Sequence, residues 1–75
     1  MVKVYSIPNC SWCQKTKSYL KSKNITYVDI NVEEDLEGRK QLLVLSKQQS
    51  VPVLDISGKI ILGFDKQKID EYLVL

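Results

Sequence analysis

Residues 2–15, VKVYSIPNCSWCQK, contain a strand pattern, a break and a helix start, and both cysteines of the chain lie within them. Val2 to Ser6 alternates apolar and polar and is rich in β-branched and aromatic residues, which predicts a strand. Ile7-Pro8-Asn9 ends it, because proline lacks a ladder donor and drives its predecessor to extended geometry. From Ser11 to about Lys23, Trp12, Thr16, Tyr19 and Leu20 recur at helical spacing with lysines on the other face. Asn24 is the expected stop. Cys10 therefore falls at a strand–helix junction, and Cys13 lies one turn further in.

The same pattern continues outward. Ile25 to Asn31 predicts a second strand. Glu33, Glu34 and Asp35 crowd the start of a helix, where negative charge complements the dipole. That helix runs to about Lys47 and carries Leu36, Leu42, Leu43 and Leu45, with Gly38 weakening it by roughly 1 kcal/mol relative to alanine. Val51 to Ile56 predicts a third strand, Ser57-Gly58 a hairpin turn, and Lys59 to Leu62 a fourth strand. Gly63-Phe64 turns the chain, and Asp65 is the expected N-cap of a last helix with Ile69, Tyr72 and Leu73 on its apolar face. The terminal Tyr72-Leu73-Val74-Leu75 completes that packing, and Tyr5, Tyr19, Tyr27 and Tyr72 read as core. The order is β-α-β-α-β-β-α, with the first two strands parallel and the last two antiparallel. These make a four-stranded mixed sheet with three helices on its faces.

The chain has 75 residues, which predicts one small domain spanning 1–75. Its hydrophobic content of 44% argues for a folded core and against disorder. Eleven basic residues are interleaved with nine acidic ones, so no polybasic run points to nucleic acid or to a membrane surface. The opening residues enter a strand pattern directly and lack a signal peptide's apolar stretch, so the expected compartment is the cytoplasm. A Cys-x-x-Cys pair there is more often catalytic or metal-binding than structural.

A sulfur at a helix start receives backbone N–H groups and the positive end of the dipole, which is expected to lower the Cys10 pKa. Lys15 and Lys17 are expected to add a favourable field. Cys13 shares a helix face with Cys10 and can reach back to close a disulfide. The expected division of labour has Cys10 attacking a substrate disulfide and Cys13 resolving the mixed disulfide. Three alternatives stand beside it: a zinc or cluster site shared across a dimer, two inert thiols in helical register, and a non-catalytic adaptor. A complete intrachain zinc site wants four ligands, and this chain has two cysteines and no histidine.

From Val2 to Leu73 the chain resembles the glutaredoxins and glutaredoxin-like redoxins. Three motifs carry the resemblance in order: Cys10-Ser11-Trp12-Cys13, Ser50-Val51-Pro52, and Gly63-Phe64-Asp65. It implies a thioredoxin-like, glutaredoxin-type α/β fold and a thiol–disulfide oxidoreductase with no bound cofactor or metal. It also implies a cis Val51-Pro52 bond beside the cysteines and a substrate or glutathione site formed by Ser11, Trp12, Val51, Pro52, Gly63, Phe64 and Asp65. Val51 would pair with an extended peptide or glutathione backbone, and Asp65 would cap its helix and meet a substrate ammonium. The chain departs from the family pattern at three places: Ser11-Trp12 replaces Pro-Tyr, Ile7 replaces a basic residue, and Phe64 replaces a glycine. The implied partners are disulfide-containing proteins, with glutathione or a thioredoxin reductase-type flavoenzyme as electron donor, and the implied state is a monomer. The Gly63-Phe64 pair is similar to redoxins that are reduced by thioredoxin reductase and serve ribonucleotide reductase.

Overall fold

In the computed structural model, which describes residues 1–74, the chain forms β1 (Val2–Ser6), α1 (Ser11–Ser22), β2 (Val28–Asn31), α2 (Leu36–Ser46), β3 (Val53–Ile56), β4 (Lys59–Leu62) and α3 (Lys66–Leu73). The sheet order is β2-β1-β3-β4. Tyr5 of β1 pairs in parallel with Ile30 on one side and antiparallel with Val53 on the other. The crossover through α1 makes the first pair parallel, as expected. The connection through α2 carries the chain past β1, so β3 returns against it. The last two strands form an antiparallel hairpin in which Leu54 faces Ile61. Its turn residues, Ser57 and Gly58, both have positive φ (52° and 95°), and the Asp55 carboxylate accepts the Gly58 N–H at 2.7 Å.

Alternation along the strands divides the core into two layers. Val2, Val4, Leu54, Ile56 and Ile61 face Leu20 of α1 and Ile69 of α3. Tyr5 and Val53 face Leu42 of α2 on the other side, with Val32 beside them. Of the four tyrosines, only Tyr5 is fully buried; Tyr19, Tyr27 and Tyr72 are half-buried at the edge of the first layer. Tyr72 and Leu73 pack against that layer, Val74 is exposed, and Leu75 lies outside the described residues.

Several boundaries differ from those predicted. β2 begins at Val28 and not at Ile25, because the Ile25 N–H is held by the Leu20 carbonyl at 2.9 Å. β1 offers partners only to Val28 through Asn31. β3 begins at Val53, since the ladder to β1 ends where Tyr5 meets Val53. α1 ends one residue early, with Asn24 in the left-handed region at φ 59°. α2 starts at Leu36, after the Asp35 carboxylate has accepted the Gly38 N–H at 3.0 Å.

The buried side of α2 also differs. Leu36, Leu43 and Leu45 are exposed; Gly38 and Leu42, four residues apart, are the residues the helix buries. Gly38 is therefore more than a weak helix former. A Cβ there would sit 2.5 Å from Ile30 Cγ2, so the bare glycine lets α2 approach β2.

Gly38→Ala tests this sign. On an open helix the change would add about 1 kcal/mol of stability. Here the clash is expected to reverse it, costing about 1–3 kcal/mol in urea unfolding. Pairing it with Ile30→Ala, which removes the obstructing methyl, should recover much of that cost in a double-mutant cycle.

Candidate active site

The end of β1 and the head of α1 place the two sulfurs. After Ser6 the chain turns through Ile7-Pro8-Asn9, and Cys10 takes an extended conformation (φ −136°, ψ 110°) as the N-cap of α1. N-caps usually present an oxygen. Here the Cys10 Sγ accepts the Cys13 N–H at 3.1 Å, and the Cys10 carbonyl accepts the Gln14 N–H at 3.0 Å. The sulfur thus sits among the orphan donors at the positive end of the helix. The Gln14 side chain braces the turn by donating to the Pro8 carbonyl.

Cys10 is half-buried, whereas Cys13 is 0% exposed. Burial pushes the Cys13 thiol up to about 11, and the hydrogen bond and charge of Cys10 push in the same direction. A backbone hydrogen bond from Ile7 and the ammonium of Lys17 pull the other way. Lys17 is itself anchored to Asp29 at 3.0 Å, and Asp29 also accepts the buried Ser6 hydroxyl at 2.7 Å. Lys15 does not join Lys17; its Nζ lies over the Trp12 ring, 4.5 Å from the centroid.

Facing the helix start is a wall assembled from distant sequence. The Val51-Pro52 peptide bond is cis, matching the implied geometry. The Pro52 carbonyl accepts the Gly63 N–H at 2.9 Å, joining the loop before β3 to the turn after β4. Gly63 has φ 78°, a conformation that favours glycine. Trp12, Val51, Pro52, Gly63 and Phe64 line one groove of about 240 Å³. Five of the predicted site residues thus meet in one place. Ser11 is exposed on the first turn of α1 and does not line the groove. Asp65 caps α3, its carboxylate accepting the Lys68 N–H at 3.1 Å. A larger concavity of about 360 Å³ lies by α2, among Lys3, Tyr5, Gln41 and Asp55, and holds no sulfur.

Tyr19 carries a contact that sequence reasoning, which assigned it to the core, overlooks. Phe64 packs on Trp12 (centroids 6.2 Å apart) and meets Tyr19 edge-on at 5.8 Å. The Tyr19 hydroxyl donates to Asp70, which also accepts Lys66 Nζ at 2.9 Å. The Tyr19 hydrogen bond and the Lys66 ammonium hold the Asp70 carboxyl below its usual range. This tie joins α1 to α3 behind the groove. The i,i+4 spacing of Lys66 and Asp70 was a visible signal for half of it; nothing local marked Tyr19 as the third member. Among the described residues, no three His, Cys, Asp or Glu side chains gather as a metal site, and no helix is long and apolar enough to cross a membrane.

Known proteins resemble this chain in sequence and fold. The family model for glutaredoxin matches residues 2–61. An uncharacterized glutaredoxin-like 8.6 kDa protein in the rubredoxin operon of Clostridium pasteurianum is 55% identical over 73 residues, covering 97% of each chain. The crystal structure of the thioredoxin-like protein BC3987 superposes with a TM-score of 0.89 at 30% identity, covering 96% of this chain and 99% of that one. The buckwheat glutaredoxin–glutathione complex matches with a TM-score of 0.78 at 28% identity, over 97% of this chain and 72% of that one. With a family model matching most of its length and a paired-cysteine helix start whose Trp12 shares a groove with the cis proline, this chain belongs to the glutaredoxin family.

Proposed function

We propose that the chain is a dithiol thiol–disulfide oxidoreductase in which Cys10 is the nucleophile and Cys13 the resolving thiol. The observation that carries this reading is the asymmetry of the pair. One sulfur is half-buried and held by an N–H at a helix start, and the other is fully buried with its proton retained to about pH 11.

The Cys10 thiolate attacks one sulfur of a substrate disulfide. That S–S bond breaks, a mixed disulfide forms, and the departing thiolate takes a proton from water. Two of the influences that raise Cys13 come from Cys10: its hydrogen bond and its charge. Both vanish once Cys10 is bonded to substrate, so Cys13 gives up its proton more readily at the moment it must act. It attacks Cys10 Sγ, the mixed disulfide breaks, and the second substrate thiolate leaves. The substrate gains two electrons and two protons, and the protein is left with a Cys10–Cys13 disulfide.

Protein disulfides are the substrate class, and the groove between Trp12 and the Val51-Pro52 wall receives them. Val51 lies outside the β1–β3 ladder and lines the groove, which supports its backbone pairing with an extended peptide. Glutathione or a thioredoxin reductase-type flavoenzyme restores the dithiol. The glutathione-bound buckwheat relative supports the first donor. The Phe64 ring, packed on Trp12 where the family pattern has glycine, narrows the groove and supports the second.

Substitution separates the two thiols. Cys10→Ser should abolish disulfide reduction, and Cys13→Ser should accumulate mixed disulfides that mass spectrometry detects on Cys10. A Cys10→Ser protein that retains full reduction activity would refute the assignment, because reduction would then not pass through that sulfur. Exchanging Phe64 for Gly should raise the rate at which glutathione reduces the oxidised protein by several-fold relative to NADPH with thioredoxin reductase; an unchanged ratio would remove Phe64 from donor selection.

The Cys13 proton also makes a prediction about stability. The reduced fold retains that proton to about pH 11, whereas a thiol of the ordinary type ionises near 9.0. A group raised on folding stabilises below the unfolded value and loses that contribution as pH climbs through the folded one. The urea midpoint of the reduced protein should therefore fall between about pH 9 and 11, and should fall less steeply in Cys13→Ala.

A further inference from the structure

We propose that the surface running from the groove along α1, formed by Trp12, Phe64 and Tyr19 with Lys15 and Lys23, docks a polypeptide whose disulfide is flanked by carboxylates. The proposal rests on the dithiol reading above and names the substrate class that this face selects.

The charge of the molecule is unevenly placed. α1 carries Lys15, Lys17 and Lys21, with Lys23 as its C-cap, and contains no acidic residue. Five of the nine acidic residues (Asp29, Glu33, Glu34, Asp35 and Glu37) cluster instead around β2 and the head of α2, which packs on the opposite face of the sheet. The carboxylates nearest the groove are already engaged: Asp65 with the Lys68 N–H, and Asp70 with Tyr19 and Lys66. Lys17 is held by Asp29. Lys15 and Lys23 form no ion pair within 4 Å among the described residues, and the charge of Lys23 is felt by Asp70 at longer range.

Both of these lysines lie over aromatic rings of the same stripe. Lys15 Nζ is 4.5 Å from the Trp12 centroid and Lys23 Nζ is 5.8 Å from that of Tyr19. Phe64 bridges the two rings. A ring face holds an ammonium in place without neutralising it, so each lysine keeps donors available to an incoming anion. Trp12 is 55% exposed next to the cysteines, and exposed tryptophan with adjacent cations is the composition of an interface anchor.

The spacing defines the partner. Trp12 and Tyr19 are seven residues apart on the helix, about 10 Å along its axis. An extended chain covers that span in about three residues. A carboxylate adjacent to the target cysteine would meet Lys15, and one about three residues away would meet Lys23.

The test uses the full-length, pre-reduced protein in single turnover, so that its own dithiol supplies the two electrons and two protons. Three disulfide peptides of equal length carry Asp, Gln or Lys at those two positions, and released peptide thiol is quantified. The expected second-order rate constants fall in the order Asp, Gln, Lys, with roughly a tenfold span at low salt. That span should collapse at about 0.5 M salt, where screening is nearly complete. Lys15→Glu and Lys23→Glu should each shrink or invert the order, whereas Lys40→Glu, on α2, should preserve it. S-methylglutathione, which offers carboxylates but cannot exchange, should leave the Asp-peptide rate unchanged. Equal rates for the three peptides, an Asp preference that survives Lys15→Glu and Lys23→Glu, or full competition by S-methylglutathione would each overturn the proposal. If the wild-type protein reduces none of the peptides and not even the neutral hydroxyethyl disulfide, the dithiol reading fails and the docking proposal falls with it.

Discussion

At the head of α1 a sulfur atom takes the place of a capping oxygen, and the rest of the site depends on that exchange. The bond from the Cys13 N–H to Cys10 Sγ closes the first turn of the helix and holds the sulfur where backbone donors converge. A thiolate accepts such a bond more strongly than a neutral thiol does. Helix capping and thiol chemistry are thus the same contact. β1 supplies the rigidity behind it: Val4 and Tyr5 are fully buried, and neighbouring strands pair with β1 on both sides. The Ile7-Pro8-Asn9 turn hands that rigidity to Cys10.

Burial then divides the two sulfurs. They are three residues apart in one motif, yet one is half-buried at the cap and the other is fully buried on the first turn, where the Ile7 backbone hydrogen-bonds to it. Thr16 is also fully buried and satisfies its hydroxyl on the Trp12 carbonyl at 2.8 Å, so the first turn is secured without a polar group competing for sulfur. No buried side-chain nitrogen or oxygen among the described residues lacks a partner. In the wall facing the helix start, the Gly63 N–H to Pro52 carbonyl bond lies next to the Val53–Leu62 pair of the β3–β4 ladder, and together they join segments eleven residues apart in sequence. The aromatic stripe Trp12–Phe64–Tyr19 and the Asp70–Lys66 pair tie the wall to α1 through α3.

Much of this is legible in the sequence. Alternation in Val2–Ser6, the proline break, and the placing of Cys10 at a strand–helix junction follow from local steric and hydrogen-bonding rules. The Ser57-Gly58 turn and the Asp65 cap follow from the same rules, since each needs only its own few residues. The motif resemblance added the cis proline and the groove residues, and five of them do converge. The failures were of another kind. Leu36, Leu43 and Leu45 looked like a core face because they are leucines, but the sheet accepts α2 along Gly38 and Leu42. Ile25 to Tyr27 carried a strand pattern, but β1 has no partners left for them and the end of α1 holds the Ile25 N–H.

The amino-acid sequence by itself determined the order of elements, the parallel pairing of the first two strands, the position of both thiols and the Asp65 cap of the last helix. Those depend on interactions within a few residues, or on a periodicity that one segment displays alone. Only the tertiary structure decided which side of β1 receives β3, how closely α2 may approach β2, and which of two neighbouring cysteines is buried. It also placed Tyr19 against Phe64 and Asp70. Each of these turns on the distance between segments far apart in the chain, and burial, the field at a sulfur and the space for a Cβ exist only once those segments have met.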